Sequence, residues 1–177
     1  DLNGDGKIDD YDHCYQQYST LPEIYYGFSL GADYRNWGIK AHFQGVAHRS
    51  VSTMLASIYH PLYGNDKNVS EHYLENRWTD VTPDARYPRL TTLSNNHNFQ
   101  TSSLWMEKGD YLKLRVLELS YKLPTRFAEK MRMSDCRLFL KGMNLFSIDH
   151  VGIMDPEQMD MEYPSSRSYL IGINVLF

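Results

Sequence analysis

Five stretches of the chain alternate apolar and polar residues with a period of two, which is the pattern of a β-strand with one apolar face. In the first, about 24–35, Tyr26, Phe28, Leu30, Ala32 and Tyr34 share one face, and Gly27, Ser29, Gly31, Asp33 and Arg35 share the other. In the second, about 37–46, Trp37, Ile39, Ala41 and Phe43 oppose Gly38, Lys40, His42 and Gln44. The parity of the apolar positions changes across Arg35–Asn36, as it does when a tight turn joins antiparallel strands. The third stretch, about 108–123, slips parity near Val116–Leu117, which predicts a bulge there. The fourth, about 136–146, sets Leu138 and Leu140 against Arg137, Phe139 and Lys141. The fifth, about 167–177, places Tyr169, Ile171, Ile173, Val175 and Phe177 on one face.

These stretches have the ~9–11 residues that a tilted strand needs to cross a bilayer, more than the ~5–6 usual in a soluble sandwich. Periodicity alone also accommodates a soluble antiparallel sheet with one wet face. The connections add a second signal. Arg35–Asn36 and 124–135 are short, with a helical turn predicted at 126–131, whereas 47–108 and 147–166 are long. The short joins fall on one side and the long ones on the other, the asymmetry of outer-membrane barrels. Within the first long connection, Asn68-Val-Ser-Glu71 reads as the start of a short helix over 71–78.

Composition fits a wet–apolar boundary. Aromatics make up 14% of the 177 residues, yet mean hydropathy is −0.53, so the rings are carried on a polar background. A carbohydrate-binding β domain shares this bias. A net charge of −4 without a basic run gives no sign of a nucleic-acid partner. No apolar run approaches the ~18 residues of a membrane helix, which leaves membrane strands open. Asp1 opens inside a motif, with neither Met nor signal peptide, so the chain reads as a piece of a longer polypeptide.

That motif, Asp1-Leu-Asn-Gly-Asp-Gly-Lys-Ile-Asp-Asp-Tyr-Asp12, has the spacing of an EF-hand calcium loop. Oxygen ligands are expected from Asp1, Asn3, Asp5, the Lys7 carbonyl, Asp9 and Asp12, because calcium takes 6–8 hard oxygens. Asp12 stands where the longer Glu is usual. With one loop and no helix pair, the ion's role would be structural. The competing reading is a solvated acidic turn. His13, His42, His48, His60, His72, His97 and His150 are scattered, with no zinc-type pairing. No nucleophile elbow, phosphate loop or dinucleotide fingerprint occurs, and no carboxylate pair stands out, so an enzyme is not expected.

Several segments together carry a resemblance. They are the opening acidic motif, Tyr26-Gly-Phe-Ser-Leu30, Phe43-Gln-Gly-Val46, Asn76-Arg-Trp-Thr79 with Ala85-Arg-Tyr-Pro-Arg-Leu90, Gly109-Asp-Tyr-Leu-Lys-Leu-Arg115, Gly142-Met-Asn-Leu-Phe146 and the ending Ser166 to Phe177. In this order they resemble the C-terminal end of the SusC/RagA family of TonB-dependent outer-membrane transporters of Bacteroidetes. The resemblance implies an all-β chain, the last five strands of a barrel of ~22, that takes part in active import of glycans or peptides. The implied partners are the rest of the barrel and its plug, a SusD-like surface lipoprotein, TonB acting through an N-terminal box, and the barrel-assembly machinery. Plug and TonB box are not in this sequence.

The same resemblance implies a topology. Residues 1–23, 47–108 and 147–166 become extracellular, and Arg35–Asn36 and 124–135 periplasmic. Arg35, Lys40, His42, Lys113, Arg115, Glu118, Lys122 and Lys141 become lumen-facing. Tyr34, Trp37, Tyr121 and Phe177 become a periplasmic aromatic girdle. Cys14 and Cys136 fall on opposite sides of a ~30 Å core, so no disulfide is expected. Gly172, Val175 and Phe177 match a barrel-assembly signal, although Leu170 departs from the polar residue usual in it. Tyr59, Tyr63, Tyr73, Trp78 and Tyr87 either meet a lid or ligand or pack the long loop on itself. The alternative for the whole chain is a soluble, calcium-stabilised β module that binds carbohydrate.

Overall fold

The computed structural model describes residues 1–15, 18–54, 61–62, 68–93, 97–158, 163 and 165–177. Five long strands form one antiparallel sheet in the order β1 (Ile24–Tyr34), β2 (Trp37–Ala47), β5 (Tyr111–Lys122), β6 (Asp135–Asp149) and β7 (Ser168–Leu176). Each strand pairs with the next one of the five along the chain, a meander. A separate two-stranded antiparallel sheet pairs β3 (Ser50–Ser52) with β4 (Met106–Lys108), the two ends of the first long connection. So the stretch expected at 108–123 begins instead at Tyr111, and Lys108 belongs to the small sheet. Among the described residues no helix is long and apolar enough to cross a membrane, a statement that does not bear on strands.

The tight turn sits where the parity change puts it. Arg35 takes the left-handed backbone conformation (φ 54°). Asn36 ties the turn to the third strand, because its carbonyl accepts from Lys122 N (2.8 Å) and its Nδ2 donates to the Lys122 carbonyl (2.7 Å). The bulge lies one residue earlier than expected. Register shifts between Leu114 and Val116, so Arg115 is the extra residue, and Leu112, Leu114, Leu117 and Leu119 remain on one face. Strand β6 runs past 146 to Asp149 because a second irregularity, at Asn144 (φ 52°), lets the pairing continue.

Cross-strand pairing shows that the sheet sorts its faces. One row reads Leu30, Ala41, Leu117, Gly142 and Tyr169; the next reads Ala32, Ile39, Leu119, Leu140 and Ile171. These apolar side chains have no covering layer: Leu30 is 60% exposed, Leu140 47% and Ile171 87%. Two small clusters are buried elsewhere. One, formed by Ala128, Met133 and Cys136, lies under α2 (Thr125–Lys130). The larger, formed by Tyr73, Tyr87, Phe99 and Trp105, gives the first long connection its own core. Tyr73 and Tyr87 stack at 4.8 Å and Phe99 and Trp105 at 5.6 Å. Ser70 caps α1 (Glu71–Asn76), its Oγ accepting from Tyr73 N (3.2 Å). The expected cap, Asn68, instead accepts from its own neighbour Val69 N.

Candidate functional site: the polar face and its strap

The polar face is assembled by strand pairing alone. Gln44 stands opposite Lys113, which stands opposite Ser147. Lys40, Glu118 and Lys141 form one row across β2, β5 and β6. His42 joins the same face with its Nδ1 2.9 Å from Ser29 Oγ. Of the charges expected on this face, Lys40, His42, Lys113, Arg115, Glu118 and Lys141 share it. Arg35 lies in the turn at the end of this face, its guanidinium over the Tyr34 ring at 5.2 Å, and it lines a recess with Asp33, Lys40, Ser120, Lys122 and Arg137.

At the long-loop end this face is occupied by the chain itself. Residues Val151–Gln158, after β6, fold back onto β5 as a strap. Lys113, 4% exposed, pairs with Asp155 and lies 3.0 Å from Glu157 Oε2. Arg115 pairs with Glu157 and donates to Gln44 Oε1 (2.9 Å) and Asn144 Oδ1 (3.3 Å). Tyr111 Oη donates to Glu157 Oε1 (3.0 Å). Arg49, also buried, donates to the carbonyls of Pro156 (2.8 Å) and Thr20 (3.1 Å), so it joins the strap to the N-terminal segment. Such close pairing is what makes buried charge tolerable.

Burial pushes the Asp155 carboxyl up, but the Lys113 ammonium and the Glu157 N–H hold it down at about 2. A carboxylate depressed in the folded state stabilises above its unfolded pKa and loses that contribution as pH falls through the folded value. The strap is therefore expected to keep its hydrogen-exchange protection at neutral pH and to lose it between about pH 4 and pH 2. Protection factors of the Val151–Gln158 amides across that window check this.

Asp155, Glu157, Arg49 and Arg137 were not singled out from the sequence. One signal was available: Lys113-x-Arg115 on a strand and Asp155-x-Glu157 on a loop have matching spacing and opposite charge.

In the acidic loop, each side chain expected to bind metal accepts a backbone N–H. Asp1 Oδ1 accepts from Gly4 (2.7 Å) and Asp5 (3.2 Å), and Asp1 Oδ2 from Gly6 (2.8 Å). Asn3 accepts from Asp5, Asp5 from Lys7, and Asp9 from Tyr11. Asp12 accepts from Asp9 (2.8 Å) and Leu2 (2.6 Å), and these bonds hold its carboxyl below the usual carboxylate range. Gly4 and Gly6 turn the loop with φ of 79° and 81°. Among the described residues no three His, Cys, Asp or Glu side chains converge on one point.

Gly172 has a packing reason. A Cβ there would meet the Phe139 ring at 2.3 Å, so the ring of one strand lies over the glycine of the next. Val175 pairs with Cys136, and Phe177 is 87% exposed beyond the end of β7. Cys14 is exposed and Cys136 buried, and both are free thiols. Trp37 packs on Tyr121 at 4.8 Å, with Tyr34 beside the same turn. In the long loop Tyr73 and Tyr87 pack inward. Burial raises the Tyr73 phenol to about 12, which keeps it a neutral donor to the Pro88 carbonyl (2.9 Å). Trp78 remains 38% exposed, and Tyr59 and Tyr63 lie outside the described residues.

No protein-family model matches the chain. It is 27% identical over 195 residues to TonB-dependent receptor P26 of Formosa agariphila, an alignment that takes in 100% of the chain and 19% of that receptor. It is 24% identical over 194 residues to TonB-dependent receptor P3 of the same organism, covering 18% of it. The chain thus spans about a fifth of the length of the curated relatives it matches. Among solved structures it superimposes on the RagAB peptide importer in the open-open state with TM-score 0.68 and 26% identity, covering 90% of this chain and 18% of that one. The closed-closed state gives TM-score 0.69 at 23% identity, covering 97% and 20%. These are receptors and importers, not enzymes. The sequence match over the whole length of the chain and the shared fold support a segment of a TonB-dependent transporter, similar to the SusC/RagA type.

Proposed function

We propose that these residues form a five-strand arc in the wall of an outer-membrane importer, the C-terminal part of a barrel of ~22 strands. The observation that carries this reading is the division of the sheet. Five strands of 9 to 15 residues expose an uncovered apolar face on one side and a charged, internally paired face on the other. Open sheet edges are not tolerated in hydrocarbon, so β1 and β7 would pair with further strands of the same barrel. The apolar face then meets lipid, and the polar face lines a lumen that holds a plug. A soluble carbohydrate-binding module has no use for so large an uncovered apolar face.

The cargo would be a large nutrient, a glycan or a peptide, with a SusD-like lipoprotein on the long-loop side and TonB driving import. The loop core of Tyr73, Tyr87, Phe99 and Trp105 stiffens that side and leaves Trp78 for contact with the lid. Gly172, Val175 and Phe177 would be read by the barrel-assembly machinery. In whole cells, with Cys14 replaced by Ser in both variants, a membrane-impermeant maleimide should label a cysteine placed at Asp84 on the long loop. A cysteine placed at Glu129 in α2 should be labelled only after permeabilisation. Equal labelling of both in intact cells would refute this topology.

Calcium in the acidic loop belongs to the same proposal. Asp1, Asn3, Asp5, the Lys7 carbonyl, Asp9 and Asp12 would turn oxygens to the ion, which would fix the extracellular segment. Calorimetric titration with calcium should give saturable heat that Asp5→Ala abolishes. Equal heats from the two proteins would remove the site.

A further inference from the structure

The connection between β5 and β6 lies on the apolar side of the sheet. On β6, Cys136 shares a face with Leu138 and Leu140, because the pairing of β6 with β7 is regular from Asp135 to Met143. Leu123 follows Leu119 and Tyr121 on that face, and its N–H donates to the Cys136 carbonyl (2.8 Å). Ala128 of α2 and Met133 pack there and leave Cys136 1% exposed, whereas Leu138 beyond them is 43% exposed. So α2 covers the turn end of the apolar face and not of the polar one. It also presents an uncovered apolar pair of its own, Phe127 at 63% and Met131 at 65% exposure. Met131 N–H donates to the Phe127 carbonyl (3.3 Å), and residues four apart fall on one side of a helix. Arg126 and Lys130, also four apart, form the adjoining row, and Arg132 ends the helix in the left-handed conformation (φ 57°). These three cations are exposed and make no ion pair among the described residues. The one carboxylate on this turn, Glu129, lies across the helix from Phe127.

We propose that this turn is an interfacial anchor that binds anionic phospholipid of the periplasmic leaflet. Phe127 and Met131 enter the top of the acyl chains, and Arg126, Lys130 and Arg132 meet the phosphates. Two observations select this occupant. The first is continuity: the exposed pair extends the same uncovered face that carries Leu138 and Leu140, so whatever covers that face covers the pair as well. The second is charge. A row of unpaired cations beside an apolar pair matches the boundary between acyl chains and headgroups, where basic side chains lay their stems on apolar surface and hold their charge at the phosphates. Lys and Arg are drawn to a negatively charged lipid surface within a Debye length, so the cations favour phosphatidylglycerol over a zwitterionic lipid.

The inference rests on the barrel reading for one point, that the apolar face meets lipid. It is tested on the full-length protein in phospholipid vesicles, with a bimane on a single reactive cysteine at Met131→Cys, Glu129→Cys or Ile173→Cys and with Cys14→Ser throughout. Nitroxide-bearing lipid should quench the label at Met131, and aqueous iodide should quench the label at Glu129. Nitroxide-bearing phosphatidylglycerol should quench the Met131 label more than the same amount of nitroxide-bearing phosphatidylcholine. That excess should vanish when Arg126→Gln, Lys130→Gln and Arg132→Gln are combined. A Met131 label that iodide reaches and lipid does not overturns the proposal, as does equal quenching by the two lipids or an excess that survives the triple substitution. The Ile173 label separates the two readings. If lipid quenches it while Met131 stays in water, the failure belongs to this inference and not to the barrel.

Discussion

Lys113→Met is expected to free the strap. The methionine fills much the same volume but leaves the Asp155 carboxylate buried without its cation. Breaking a buried pair from one side costs about 3–5 kcal/mol. The lower end applies here, because Arg115 still holds Glu157 and Arg49 still holds the Pro156 carbonyl. A loss of about 3 kcal/mol in local opening corresponds to a rise of roughly two orders of magnitude in the cleavage rate, where opening is fast relative to cutting. Thermolysin cleavage before Val151 or Ile153 in the intact protein measures it. Adding Asp155→Asn to Lys113→Met should recover most of the loss, because Glu157 keeps Arg115 and no carboxylate is then left buried without a cation. Recovery would show that the cost lies in the stranded carboxylate and not in the lost lysine stem.

The second large effect is expected at a glycine. A Cβ on Gly45 would sit 2.3 Å from the Tyr111 carbonyl oxygen and 2.5 Å from the Tyr26 ring. The carbonyl belongs to the neighbouring strand and cannot rotate away, while Tyr26 is held over the glycine by its own bond to that carbonyl (3.1 Å). Gly45→Ala should therefore part β2 from β5 at this end, at a cost near or above the upper end of the ~1–3 kcal/mol typical of overpacking. Gly172→Ala should cost less, because the clashing atoms are the tip of the Phe139 ring, which can swing aside. Thermal unfolding of the two variants in detergent, followed by the gel shift between folded and unfolded barrel, ranks them. A larger loss for Gly172→Ala would contradict this packing argument.

Both sites show what the sequence pattern could and could not carry. Period-two alternation located the five strands, because one face of each must be apolar whatever lies beyond it. It misplaced the bulge by one residue, because Arg115 and Val116 point to the same side and parity cannot say which of them is extra. It ended the fourth strand early, because Asn144 in a left-handed conformation interrupts a pattern that then resumes with Phe146 and Ile148. It counted Arg35 as a strand residue because alternation has no term for a turn, and β1 ends at Tyr34. The strap was out of reach for another reason. Asp155 meets Lys113 across 42 residues, and no periodicity links a loop to the face it covers. Packing of the long connection on itself was one of two outcomes open for Tyr73 and Tyr87, but their partners Phe99 and Trp105 were out of reach, since the four follow no shared repeat. Phe139 over Gly172 shows the converse: a residue noticed for one role, the assembly signal, also has a local packing reason to be glycine.

The division of the sheet into a lipid face and a lumen face is tested most directly by nitroxide labels, placed one at a time along β2 and β7 in the full-length protein in bilayers. Labels at Ile39, Ala41, Ile171 and Ile173 should relax strongly with oxygen, which concentrates in lipid. Labels at Lys40, His42, Leu170 and Asn174 should respond instead to a water-soluble nickel complex or be shielded from both, giving a period of two along each strand. Equal access of the nickel complex to both sets would mean that the apolar face is in water, and that these strands do not form a membrane wall.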